Sequence, residues 1–132
     1  MKNKKIKLLM LVSLFTLFGC EKSSSNIEYR SPSSGDKGSY SIIKHESLDD
    51  SKYSLLTNRI GKNDKYTDFT KITIDCSNHK YLVTAIGYED GAEDTPNKEL
   101  ISVPKSSQKW TELINGSSKS DLVNFVCKHI AK

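Results

Sequence analysis

The chain has little of what catalysis, metal binding or nucleic-acid binding requires. Its three histidines, His45, His79 and His129, are scattered, and no HExxH spacing sets two imidazoles on one helix face for zinc. They read as surface or capping residues, and His129 near a helix C-terminus suits the dipole there. Serines are abundant, yet none stands in the Gly-x-Ser-x-Gly turn that exposes a hydrolase nucleophile, and a glycine-rich phosphate loop is missing. The expectation is a chain that is no enzyme and uses no cofactor. Arginine is limited to Arg30 and Arg59. Of the 20 Lys and Arg, four (Lys2, Lys4, Lys5 and Lys7) crowd the first seven residues, which leaves 16 against the 16 Asp and Glu. Beyond that cluster the chain is neutral, with no concentrated basic face for nucleic acid. The apolar stretch from Leu8 to Phe18 falls short of the roughly 20 residues that cross a bilayer, so it is no simple transmembrane anchor.

What is present at the N-terminus has a different logic. A lysine-rich start, an apolar segment from Ile6 to Phe18, then Leu17-Phe18-Gly19-Cys20 have the order of a lipoprotein signal peptide ending in a lipobox, residues 1–19. The chemistry implied is a diacylglycerol thioether at Cys20 and cleavage after Gly19, with two or three acyl chains holding the protein to a membrane. The rival reading is an ordinary secretory signal followed by a chance cysteine. Glu21 is not the aspartate associated with inner-membrane retention, which favours a lipid anchor in the outer membrane, on its outer or its periplasmic face.

Residues 20–38 are rich in Ser, Gly and charge and almost bare of apolar side chains, so they are expected to form a disordered tether. The remaining residues, 39–132, make one small domain near the size at which a single core is marginal. With Cys20 taken by lipid, Cys76 and Cys127 are the thiols left, and an oxidising envelope favours joining them. A bond closing a loop of about 50 residues stabilises by about 4 kcal/mol in the chain-entropy account. The alternative, a pair of metal-binding or catalytic thiols, lacks a CxxC spacing and a third ligand.

Periodicity points to an α+β fold, a small antiparallel sheet with a C-terminal helix packed on it. Tyr40–His45 and Tyr53–Thr57 are short strand candidates. In Tyr66–Cys76, Ile72, Ile74 and Cys76 share one face while Thr67, Phe69, Lys71, Thr73 and Asp75 share the other, the pattern of a half-buried strand. Lys80–Tyr88 is rich in β-branched and aromatic residues and completes a hairpin across the Ser77–His79 turn. Leu100–Val103 and Lys109–Ile114 are two further strands, with Trp110 expected in the core and Pro104 marking a strand end. Ser118 is the expected helix cap, and Leu122, Val123, Val126, Cys127 and Ile130 fall on one stripe that turns Cys127 toward the sheet.

Between these lies Glu89–Lys98, acidic and turn-rich, expected as a long exposed loop. Its carboxylates could hold Ca²⁺, but they lack the alternating spacing of an EF-hand, and a solvated contact loop is the better reading. A like-charged loop on a rigid sheet can steer a basic partner, with Tyr88 as a neighbouring aromatic anchor. Tyr88, Glu89, Asp90, Glu93 and Asp94 are therefore the candidate partner-binding residues, with no metal.

Ile74-Asp-Cys-Ser-Asn-His-Lys-Tyr81, Ile86-Gly-Tyr88, Trp110-Thr-Glu-Leu-Ile-Asn-Gly-Ser117 and Leu122–Cys127 together resemble the surface-adhesin protein E domain of bacterial lipoproteins, over roughly Tyr66–Ile130. Asn115 stands where that family commonly has proline. The resemblance implies a sheet with a packed helix, a Cys76–Cys127 disulfide, and binding of a protein ligand, as in adhesion to host matrix proteins. Two functions follow as expectations. One is an outer-membrane-anchored, adhesin-like protein-binding module. The other is a periplasmic inhibitor, immunity or assembly accessory lipoprotein, or a receptor-blocking exclusion protein.

Overall fold

The computed structural model describes residues 25–30 and 37–131. The expected signal peptide 1–19, the expected lipidation site Cys20 and part of the expected tether lie outside the described residues. Strands β1 (Ile27–Glu28), β2 (Ser39–Ser47), β3 (Lys52–Ile60), β4 (Tyr66–Asp75), β5 (Lys80–Asp90) and β6 (Ile101–Ser102) pair antiparallel in chain order, and β7 (Thr111–Glu112) also pairs with β5. Helix α1 (Ser118–Phe125) follows and runs on into a π-helical turn, Val126–Ile130.

The turns at one end of the sheet are written in Asx chemistry. Asp49 accepts from the amides of Ser51 and Lys52, both at 2.8 Å, which closes β2–β3. Asp75 accepts from the amides of Ser77 (2.9 Å) and Asn78 (3.2 Å) and from the Asn78 side chain (2.9 Å), which closes β4–β5 with His79 at φ 51°. Asp75 is thus buried in a turn and not a solvent-face residue of the strand. The amide of Cys76 donates to the Ser51 carbonyl, so both turns are tied side by side.

Alternation sets the helix-side face. Tyr53, Leu55, Ile72 and Ile74 pair across β3 and β4, and Ile42, Tyr40 and Tyr29 extend the layer toward β1. Against it lie Leu122, Val123 and Val126, all with no exposed surface, and burial of each such side chain is worth about 1.5–3 kcal/mol. Ser117, not Ser118, caps the helix: its backbone is extended and its side chain accepts from the Ser120 amide at 3.1 Å. Cys76 and Cys127 are joined, S–S 2.05 Å and Cα–Cα 5.5 Å, which pins the C-terminal end of the helical segment to the turn end of the sheet.

The second face is also used. Bulges interrupt the register between Ile42 and Lys44 on β2, and on β5 opposite Lys71 and Ile72. Beyond the β5 bulge, Ala85, Gly87 and Glu89 stand opposite Lys71, Phe69 and Thr67 on the side away from the helix. Phe69 and Thr67 are fully buried there, because the segment after β5 folds back across them. The strand is half-buried as alternation predicts, but the buried face changes along it: the strap side at Thr67 and Phe69, the helix side at Ile72 and Ile74.

Three further expectations are corrected. The stretch 20–38 holds ordered structure: β1 pairs with Ile42 and Ser41, and Tyr29 is buried, edge-on to Tyr40 at 5.9 Å. One apolar side chain, Tyr29, suffices because it adds to an existing core, while Ile27 stays exposed. The last two strands shrink to two residues each, both on the outer edge of β5. Trp110, just before β7, is 43% exposed, since so short an edge strand brings no second layer over it.

Replacing Cys127 with Ser removes the bond that closes the loop, and the loss of about 4 kcal/mol is expected to lower Tm by about 15 °C or more in a domain of this size. Cys76 in that variant should react with maleimide, and Cys76 and Cys127 of unreduced wild-type protein should not; reaction of both in the wild type would contradict the bond.

Candidate binding face

The sheet is covered diagonally. The helix lies over one face at the Cys76 end, and the segment after β5 lies over the other face at the opposite end. Among the described residues, two quarters remain uncovered. On the face away from the helix, the open quarter carries Lys44, Glu46, Ser54, Lys71 and Thr73 around two half-buried leucines, Leu56 and Leu82. On the helix side, beyond the N-terminus of α1, the open quarter is aromatic.

That second quarter is built on one row. Tyr40, Arg59, Asp68 and Tyr88 are successive cross-strand partners on β2, β3, β4 and β5. Arg59 donates from Nε to the Tyr40 hydroxyl at 2.8 Å and from Nη1 to the Tyr66 hydroxyl, and it stands 3.9 Å from Asp68. Its guanidinium is 5.5 Å from the centroids of both tyrosine rings, contacts worth about 0.5–2 kcal/mol each. These hydrogen bonds, Tyr66 first and then Tyr40, hold it firmly protonated. Tyr66 in turn stacks on Tyr88, ring centroids 6.0 Å apart and planes at 16°. Gly61 makes room for this: a Cβ there would run into the Tyr66 ring.

The chain's other arginine reaches the same place. Arg30 lies over the Tyr40 ring at 5.1 Å, pairs with Asp121 at 3.3 Å and donates to the Gly116 carbonyl, linking β1 to the start of α1. Burial first, and then the neighbouring Tyr40, push the Tyr29 hydroxyl well above the usual tyrosine range. A cavity of about 120 Å³ opens where sheet and helix diverge, lined by Tyr29, Tyr40, Thr57, Arg59, Asp68, Thr70 and Lys119 among others. Burial draws the Lys119 pKa down, and Asp68 draws it partly back.

The five residues singled out in the sequence do not form one surface. Tyr88 is 58% exposed on the aromatic quarter, and burial against its neighbours, then the charge of Asp90, raises its hydroxyl pKa. Glu89, one residue on, faces the other way and is buried. Its carboxylate accepts from the Asn97 amide at 2.7 Å and the Asn97 side chain at 2.9 Å, and those bonds hold its pKa below the usual carboxylate range. Glu93 is fixed by its backbone, the carbonyl accepting from Asn58 and the amide donating to Thr67. The Asp94 carbonyl accepts from Asn26 of the N-terminal segment. Asp90 and Asp94 remain exposed. The acidic stretch is therefore a strap laid over Phe69 and Thr67 and not a free loop, and among the described residues no group of acidic or thiol and imidazole side chains is placed to hold a metal ion. His45, His79 and His129 are exposed, and His129 packs its ring 4.9 Å from Phe125.

Tyr40, Arg59, Tyr66 and Lys119 are the residues sequence reasoning missed. A signal was available, since Tyr66 and Asp68 have the same parity as Ile72 and Ile74 and so belong to the helix-side face. Comparison with known proteins found no matching family model, no matching curated protein and no matching solved structure.

Because the folded-state pKa of Glu89 lies below its ordinary value of 4.5, its contribution is complete above that pH and is lost as pH falls through the folded value. Glu89→Gln leaves an amide NH₂ facing the Asn97 donors. It is expected to lower Tm at pH 7, and the gap from wild type should be full above pH 4.5 and shrink as the pH falls below it. A constant gap across that range, by calorimetry, would contradict the role.

Proposed function

We propose that the protein is an outer-membrane-anchored lipoprotein whose domain is a protein-binding module, and that it binds through the aromatic quarter beside Tyr88. The observation that carries this reading is the row Tyr40–Arg59–Asp68–Tyr88. It is fixed on four adjacent strands and ends in an exposed Tyr88 with exposed Ile86 and Ile101 alongside. Tyrosine and arginine dominate the residues that carry binding energy at protein interfaces. Here they are held in place before any partner arrives, so little rotamer freedom is lost on contact.

The scale of the site supports a macromolecular ligand. Pockets for cofactors and metabolites run to about 300–1,000 Å³, and the cavity here holds about 120 Å³. The Lys44 quarter offers charge and two half-buried leucines but no aromatic ring, and the strap uses Glu89 and the backbone of Glu93 internally, which leaves Asp90 as the acidic residue next to the face. Lipidation at Cys20, adhesin-like binding and display outside the cell belong to the same proposal. Its support is the order of the first twenty residues and the resemblance over Tyr66–Ile130.

A photoreactive amino acid in place of Tyr88 should form defined adducts in living cells, and one in place of Lys44 should not. Protease added to intact cells then separates an outward-facing domain from a periplasmic one, on which the inhibitor or immunity reading would take over. Equal adducts from both positions, or none from position 88, would contradict the assigned face.

A further inference from the structure

The place of β1 in the sheet bears on how the aromatic quarter is presented. A tether of residues 20–38, drawn out to its limit, would span about 65 Å. The fold shortens it. Ile27 and Glu28 pair with β2, and one residue earlier the Asn26 side chain donates to the Asp94 carbonyl at 2.9 Å. The chain is thus fixed to the domain at Asn26, six residues after Cys20. Six residues reach at most about 20 Å.

β1 is also one edge of the sheet, and Tyr88 lies on β5, four strands away. At about 4.8 Å per strand, the point of attachment and Tyr88 are about 19 Å apart. The near end of the row Tyr40–Arg59–Asp68–Tyr88 is met by Tyr29 and Arg30 of the N-terminal segment, and the far end is where Tyr88, Ile86 and Ile101 are exposed. Attachment and binding surface occupy opposite edges.

Resting on the readings that Cys20 carries the lipid and that the face beside Tyr88 binds a protein, we propose that the domain stands on the membrane by its β1 edge. Tyr88, Ile86 and Ile101 then face away from the lipid. Turning the domain over, with Tyr88 on the headgroups and β1 outermost, would use nearly the whole reach of the six residues, and holding a chain to one extended path costs its conformational entropy. The partner therefore comes from the aqueous side, as a protein standing clear of the anchoring bilayer.

The test uses the lipid-bearing chain purified from membranes and placed in phospholipid nanodiscs that contain a gadolinium-chelating lipid, with amide relaxation read residue by residue. The Ile27 and Lys44 amides should relax several-fold faster than those of Tyr88 and Ile101. Inserting a Gly-Ser run of about 18 residues after Glu21 should erase most of that difference, because a long flexible linker frees the domain to turn. Relaxation that is equal across the wild-type sheet, or greatest at Tyr88, would overturn the orientation and leave the anchor standing. A Cys20 without acyl chains by mass spectrometry would overturn the lipid reading first, and the orientation with it. Photo-crosslinking from position 88 reports on the face separately. Adducts to a protein embedded in the anchoring bilayer would overturn the direction of approach, whereas a complete lack of adducts would overturn the binding face itself.

Discussion

The Cys76–Cys127 bond decides where the helix can lie, and the helix decides which part of the sheet is core. An eight-residue helix and one π turn cannot cover a face that runs the length of β4. Fixing Cys127 to the turn end draws Leu122, Val123 and Val126 onto Ile72, Ile74, Leu55 and Tyr53. The opposite half of that face is left to polar and aromatic side chains. In a domain this small, a covalent clip does work that a larger hydrophobic core would otherwise do.

The rest of the architecture compensates for that short helix. The acidic strap covers the reverse face at the end the helix does not reach, held by Asn58, Thr67 and Glu89 and by Asn26 from the N-terminal segment. Strap and helix brace the sheet from opposite corners. The helix-side corner that neither covers has its tyrosines ordered by Arg59, through hydrogen bonds and ring contacts and not through a second layer. What stays exposed there is Tyr88, stacked on half-buried Tyr66 with Ile86 alongside, a rigid aromatic edge of the kind recognition uses, and it follows from how little chain there is.

Much of the fold was legible in residue pattern. The alternation of Tyr66–Cys76, the β-branched run of Lys80–Tyr88 and the apolar stripe from Leu122 to Ile130 each became the expected element, and Cys127 met Cys76. What stayed hidden depended on long-range packing. Period-two alternation marks which residues share a face, but not that a strap will return to bury Phe69 and Thr67. Glu89 looked like part of an exposed acidic surface because charge is local, while its partner Asn97 is supplied by a loop geometry that composition does not encode. The β1 segment was overlooked for a related reason: Tyr29 has no apolar neighbours in sequence and gains them from Tyr40 and α1. Of the candidate site, Tyr88 was legible as an exposed aromatic next to a charged stretch. Its partners Arg59 and Tyr40 were not, being far apart in the chain and adjacent only through strand register.

The diagonal cover is most directly tested by hydroxyl-radical footprinting of the full chain, with oxidation mapped to individual side chains by mass spectrometry. The structure requires rapid modification of Tyr88 and Ile86, 58% and 50% exposed, and protection of Tyr29, Tyr40 and Tyr53, all below 10%. Tyr88 as protected as Tyr53 in the free protein would mean that the aromatic quarter is covered, and that the recognition surface lies elsewhere.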